Sequence, residues 1–242
     1  MPLLTIGIAS RDLFDDSSTA EHGIGQSGRT KDGRLFRYVK AGATALVVGN
    51  ALQSKVEDTD HDNIICRATA AGSTELLITA GSGNGALDAN EYAEGYAVID
   101  TTPGLGYCYR IAGHAAVSAS ANGTINLVPE DAIEVALTSD SRVTLVANPY
   151  KDVIQSPVTT QSGTPVGGAV YPTTAAYFGW IQSGGPGAAL IDGTPAVGQP
   201  VTSTAATAGA LAVHSAELSN VAHMMVTGRT GKVLPVFWLL DG

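Results

Sequence analysis

Cysteine, aromatic residues and charge are all scarce in this chain of 242 residues: two Cys, 6% Phe, Trp and Tyr, and 14% Asp, Glu, Lys and Arg. Cys66 and Cys108 are too few for a disulfide scaffold and too widely separated for a zinc knuckle. They read as two buried free thiols of a protein that folds in a reducing cytoplasm. Positive charge is in particularly short supply. Thirteen Lys and Arg stand against 22 Asp and Glu, for a net charge of −9. With no run of basic residues, the sequence argues against nucleic acid or an anionic membrane as a partner. Long apolar runs are missing too. The mildly apolar stretch from Met1 is cut off at Arg11-Asp12, too early for a membrane span, and it lacks the basic start of a signal peptide.

Catalytic signatures are also missing. There is no Gly-x-Ser-x-Gly elbow, since Gly25-Gln-Ser-Gly28 falls one residue short. Gly81-Ser-Gly-Asn-Gly85 lacks the Lys-Ser/Thr of a phosphate loop. His22, His61, His114, His214 and His223 never fall at the spacing of a zinc-binding helix. Asp58-Thr-Asp-His-Asp-Asn63 begins like a calcium loop. However, Asn63 stands where that loop needs Gly, and Thr69 stands where it needs a bidentate Glu. The stretch reads as a solvated acidic turn. Tyr177, Phe178, Trp180 and Trp238 would suit a sugar platform, but in so aromatic-poor a chain they read first as core anchors. The expectation is a protein that is not an enzyme and carries no cofactor and no metal.

What the chain does have is turn and strand chemistry: 29 Gly, and abundant Ala, Thr, Ser and Val. These point to an all-β fold. Asp32 to Leu52 reads as two strands (around Phe36–Val39 and Leu46–Val48) joined by a bend at Ala41–Ala43. Tyr177 to Val197 repeats that grammar, with Trp180-Ile181 aligned on Tyr38-Val39. Ile133–Val146 and Val221–Val236 each read as strand, polar bend, strand. These likenesses predict two related β-barrel or sandwich lobes. Further strands are expected at Ile64-Ile65, Leu76–Ile78, Ala97–Ile99 and Tyr107–Ile111. A type I′ hairpin turn is expected at Asn122-Gly123, and one short helix at Ser215–Val221. Composition draws the boundaries at 1–31 (an irregular N-terminal arm), 32–157 (a first lobe with an insertion) and 158–242 (a Thr-, Gly- and Pro-rich connector and a second lobe). Within the arm, Leu3, Leu4, Ile6, Ile8, Leu13 and Phe14 are the candidate contacts to a neighbouring subunit or a capsid, because a purely solvated tail would not need them.

Several patches resemble the virion structural proteins of tailed bacteriophages that decorate the capsid. They are Asn90–Tyr96 with Gly106–Ala116, Ser141–Tyr150, Gly163-Thr-Pro-Val-Gly167, Tyr177–Gln182 and the opening Asp32–Gly42. The resemblance covers roughly residues 30–242. It implies a β-rich decoration or cement protein that oligomerises, often as a homotrimer. Such a protein binds the major capsid protein on the outer surface of the assembled shell after folding in the host cytoplasm, and no catalytic residue is implied. The alternatives are a carbohydrate- or host-binding module on the virion surface and a head–tail connector component.

Overall fold

The computed structural model describes residues 5–83, 85–158, 160–203, 206–214 and 219–241. Over these residues the chain is all-β, and it divides into two compact units, Glu57–Asn148 and Met1–Val56 with Pro149–Gly242. The discontinuous unit opens with β1 (Ile6–Gly7), β2 (Ser27–Arg29), β3 (Leu35–Lys40) and β4 (Ala51–Gln53). The continuous unit follows with β5 (Ile64–Cys66), β6 (Glu75–Thr79), β7 (Tyr96–Ile99), β8 (Cys108–His114), β9 (Asn122–Leu127) and β10 (Arg142–Val146). The chain then returns through β11 (Ile154–Gln155), β12 (Pro165–Ala169), β13 (Phe178–Ile191), β14 (Pro200–Thr202), β15 (Ala212–Val213), β16 (Ala222–Met224) and β17 (Lys232–Leu239). The segments 1–31, 32–157 and 158–242 do not coincide with these units, because the inserted stretch folds on itself as a complete body.

That inserted unit is a closed antiparallel barrel in the order β10-β5-β6-β9-β8-β7, with β7 pairing back onto β10. Alternation decides which residues face inward. In β6, Leu76 and Ile78 are buried while Glu75 is exposed. Ile99, Ile111, Ile125 and Val143 complete the interior from the other strands, and burying each such side chain is worth about 1.5–3 kcal/mol. Cys66 lies inside, where burial pushes its thiol up to about 12. Cys108 was expected to be buried but is exposed, since it begins β8 on the outward phase of the alternation.

Two sequence expectations fail in the barrel. Asn122 and Gly123 do not form the hairpin turn; they belong to β9 and pair with Thr79 and Ile78 of β6. The turn lies earlier, where Ala121 N–H donates to Ser118 O and Ser120 takes φ 61°. Gly123 is needed for closeness, because a Cβ there would stand 2.5 Å from Val117 Cγ2. Ile133–Leu137 forms no strand either. Leu137 makes only an isolated bridge to Thr69, and β10 finds its partners in β5 and β7.

The other unit is an open sheet ordered β1-β2-β3-β13-β17-β16-β14-β15, with β4, β11 and β12 attached beside that path. It is mixed, because β1 runs parallel to β2. Its spine is the 14-residue β13. The first half of β13 pairs with β3 and β12, and the second half, from Gly184, pairs with β17. The change of partner falls at a bulge between Gln182 and Gly184. Gln182, 1% exposed, holds the bend: its Nε2 donates to the carbonyls of Gly184 (3.1 Å), Gly185 (3.3 Å) and Pro186 (2.8 Å). A Cβ at Gly187 would lie 2.3 Å from Gln182 Oε1, so that position has room only for hydrogen.

The opening hairpin is half right. Residues 35–40 are β3, but Leu46 is buried outside any strand and Val47 and Val48 are exposed. The similarity of Tyr38-Val39 to Trp180-Ile181 does not mark two lobes. β3 and β13 are neighbours in one sheet, with Trp180 paired to Tyr38, so the likeness reflects a shared environment. The expected connector contains β12, whose Gly168 packs under the Trp238 ring; a Cβ there would stand 2.3 Å from Cζ2. Residues 215–218 of the expected helix lie outside the described residues, and residues 219–221 are not helical. Finally, Arg37 of β3 grips Asp241 beyond β17 in a bidentate pair of 2.6 and 2.7 Å.

Candidate functional site

A concavity sits on the β3–β13 face of the open sheet. Trp180 and Tyr38 are cross-strand partners, with ring centroids 5.1 Å apart in an edge-on arrangement. Phe178 stacks on Tyr38 at 6.2 Å. Such aromatic pairs add to the area they bury. The N-terminal segment lies over this face. Gly28 lets it approach, since a Cβ there would overlap Ile8 and stand 2.9 Å from Trp180 Cζ3. Ser17 and Phe178 exchange backbone hydrogen bonds of 3.0 and 2.8 Å, and Thr174 N–H donates to Asp16 Oδ2 at 2.7 Å.

Between segment and sheet is a cavity of about 240 Å³, floored by Tyr38, Phe178 and Trp180, with Asp15, Glu21 and His22 at its rim. His22 lies 5.1 Å from Tyr38 and 5.2 Å from Trp180, ring to ring. Tyr38 Oη accepts the Glu21 N–H at 3.1 Å, and burial pushes the phenol above its ordinary pKa.

A second cluster lies in the barrel unit, where ligand atoms of Asp58, His61 and Glu91 come within 4.8 Å of one another. The hydrogen bonds fix what His61 can do. Its Nε2 faces the Ala86 carbonyl at 3.2 Å, which can only accept, so Nε2 carries the proton. Its Nδ1 then accepts from the Tyr92 hydroxyl at 2.5 Å. With both ring nitrogens committed and the residue 1% exposed, His61 offers a metal no free lone pair. Asp58 caps the short turn Thr59–His61 through the Asp60 N–H. His114 is likewise satisfied: Nε2 accepts the Tyr92 N–H at 3.1 Å while Nδ1–H donates to Ala115 O at 3.0 Å.

The candidate contact residues of the arm fall in three places. Leu3 and Leu4 lie outside the described residues. Ile8 and Leu13 are buried with Phe36, Tyr38 and Trp180, and half-buried Ile6 packs beside them. They serve the chain's own sheet. Phe14, 55% exposed, faces solvent. Of the four aromatic anchors, Trp180 and Trp238 are buried, while Tyr177 and Phe178 are half-buried.

Sequence reasoning missed a further surface. Along β17, Leu234, Val236 and Trp238 are buried, and the alternate row Val233, Pro235, Phe237 and Leu239 is exposed. Across the register, Pro186 and Ala188 of β13 lie beside Phe237 and Pro235 and are exposed too. The signal was available: Val233 to Leu239 is apolar at every position, the mark of a strand covered on both faces.

Among the described residues, no helix is long and apolar enough to cross a membrane. Compared with protein-family models, with curated proteins and with solved structures, the chain gives no match.

Proposed function

We propose that this protein is a non-enzymatic adhesion module: a decoration or cement protein that binds the major capsid protein on the outer surface of a phage shell, as a homotrimer. The observation that carries the reading is the outer row of β17, four apolar residues in a strand whose other face already fills a core. Uncovered apolar rows of this kind mark surfaces that a partner completes. The resemblance of residues 30–242 to capsid-decoration proteins supplies the partner's class. A trimer on a lattice gains avidity, since its second and third contacts are intramolecular. Binding to assembled shell then stabilises that shell by mass action. The net charge of −9 keeps free copies soluble before docking.

The test uses full-length protein and purified expanded empty shells. Co-sedimentation is expected, with a rise in the shell's melting temperature at saturation. Phe237→Ser is expected to weaken binding by about tenfold or more while shifting the free protein's stability by only about 0.5 kcal/mol. Absence of the protein from purified virions would refute the reading. A copy number of a few dozen per particle would move the assignment to a head–tail connector. The aromatic-floored cavity favours one second reading, a host-binding module on the virion surface, which binding to host glycans without shell binding would select.

A further inference from the structure

We propose that a hollow on the outer face of the barrel unit binds an acidic sugar, one ring carrying a single carboxylate. Its volume of about 290 Å³ is near the lower end, roughly 300 Å³, of ligand-site volumes. The lining joins Arg67 to Asn122, Thr124 and Asn126 of β9 and to Ala115 and Ala116. The strand register brings them together. The Arg67 N–H donates to Leu77 O at 2.8 Å, Leu77 pairs with Thr124, and Ala115 follows His114, the partner of Ile125. Arg67, Leu77, Thr124 and Ala115 therefore form one row across four neighbouring segments. Ile125 and Leu127 fill the barrel, so alternation turns Asn122, Thr124 and Asn126 outward. Ala115 and Ala116 are exposed and carry only methyl groups, so nothing bulky fills the space beside Thr124.

A polar strand face alone would be ordinary solvated surface. The sign of the uncommitted groups sets this one apart. The lining holds no Asp or Glu, in a chain that has 22 of them. The Arg67 guanidinium makes no hydrogen bond or ion pair among the described residues, and its planar fork suits a carboxylate in two parallel bonds. Asn122 Oδ1 accepts the Thr79 hydroxyl at 3.0 Å, which leaves its NH2 group to donate. The Thr124 hydroxyl and the Asn126 amide have no partners among the described residues. Glu75 stands opposite Asn126 in the β6–β9 register, exposed on the same face and outside the lining. There it can accept from a hydroxyl, and it repels a second negative charge. One ligand chemistry meets these requirements: a carboxylate at Arg67, hydroxyls along the β9 row and toward Glu75, and a C–H face against two methyl groups. A neutral sugar would leave the guanidinium unused, and a doubly charged anion would be opposed by Glu75. The inference stands apart from the capsid reading, because these residues belong to the barrel unit and the β17 row does not.

Full-length ¹⁵N-labelled protein would be titrated with glucuronate and N-acetylneuraminate. Glucose, inorganic phosphate and N-acetyl-glutamate methylamide serve as the neutral, the doubly charged and the peptide comparisons. The Arg67 Nε–H and Asn126 amide signals would be assigned by their loss in Arg67→Gln and Asn126→Ala, both at exposed positions. Saturable shifts of both signals by at least one acidic sugar are expected, with the comparisons at least about tenfold weaker. Arg67→Gln should weaken that binding by about tenfold and leave the unfolding curve in place. Arg229→Gln, an exposed arginine of the other unit, changes the net charge equally and should leave the affinity unchanged. Signals unmoved by both acidic sugars, an equal response to glucose or phosphate, or equal losses in the two arginine variants would each overturn the proposal. Equal or tighter binding of the glutamate derivative would overturn it in favour of an acidic peptide.

Discussion

In the barrel every strand has two neighbours, and its outward apolar residues are interrupted by charge and hydroxyls: Tyr96 and Val146 share their surface with Arg110, Arg142 and Thr144. In the open sheet β13 changes partners midway, and the outer row of β17 is apolar throughout. Both units are built of strands and turns, yet closure gives every strand of one a partner on each side. The other keeps surface to spare. The aromatic-floored cavity and the β17 row belong to the open sheet. The barrel has the Arg67 hollow on its outer face, while its buried His61 and His114 are spent on its own hydrogen bonds.

The largest effect expected is a way to separate the two. Ile111 is fully buried in the barrel, and Ile111→Ala should cost about 3–4 kcal/mol. Both tryptophans lie in the open-sheet unit, so tryptophan fluorescence reports on that unit alone while far-UV circular dichroism reports on both. The variant should lower one transition by circular dichroism and leave the fluorescence midpoint where it was. Fluorescence that follows the loss would mean the units unfold as one, and the contrast would then be one of topology only.

How much of this was legible depended on the range of the interactions. β5, β6, β7 and β8 could be read because a half-buried strand writes its alternation locally, as in Glu75-Leu-Leu-Ile-Thr79. Closure could not, since β10 meets β5 and β7 across long stretches of chain. Glycine misled twice for one reason. At Gly123 and Gly168 its role is to let a neighbouring side chain come close, and a sequence does not distinguish that from a turn. The cavity was invisible because its rim comes from a stretch broken by Gly23, Gly25 and Gly28, while its floor comes from β3 and β13. Ile8 and Leu13, candidate contacts to a neighbouring subunit or a capsid, are buried with Phe36, Tyr38 and Trp180 of the chain's own sheet, a long-range cover that their local sequence does not specify.

A middle-sized effect sharpens the comparison at the bend in β13. Gln182→Met keeps the volume and removes the amide that serves three carbonyls. With the buried Gly184 carbonyl left beside an apolar side chain, the cost should be about 2 kcal/mol. It should appear in the fluorescence transition, the reverse of the Ile111 variant. A cost near zero would show that the bulge is held by the flanking ladder and not by the glutamine.

The smallest effect sets the two units apart by charge. The open sheet has the bidentate Arg37–Asp241 pair. Burial acts most strongly on Asp241 and raises its pKa, but the hydrogen bonds from Arg37 and Ser183 and the Arg37 charge together outweigh it and hold the carboxyl below the usual 3.8. A carboxylate favoured in the folded chain stabilises it fully above the unfolded pKa of about 3.9 and loses that contribution as pH falls through the lower folded value. With both side chains partly open to water, the loss should be about 1 kcal/mol. Acid titration between about pH 5 and pH 2 should therefore lower the fluorescence transition, and Arg37→Gln should flatten that dependence. An acid slope that survives Arg37→Gln would assign the sensitivity to other carboxylates, leaving the pair a geometric clasp for the chain end beyond β17.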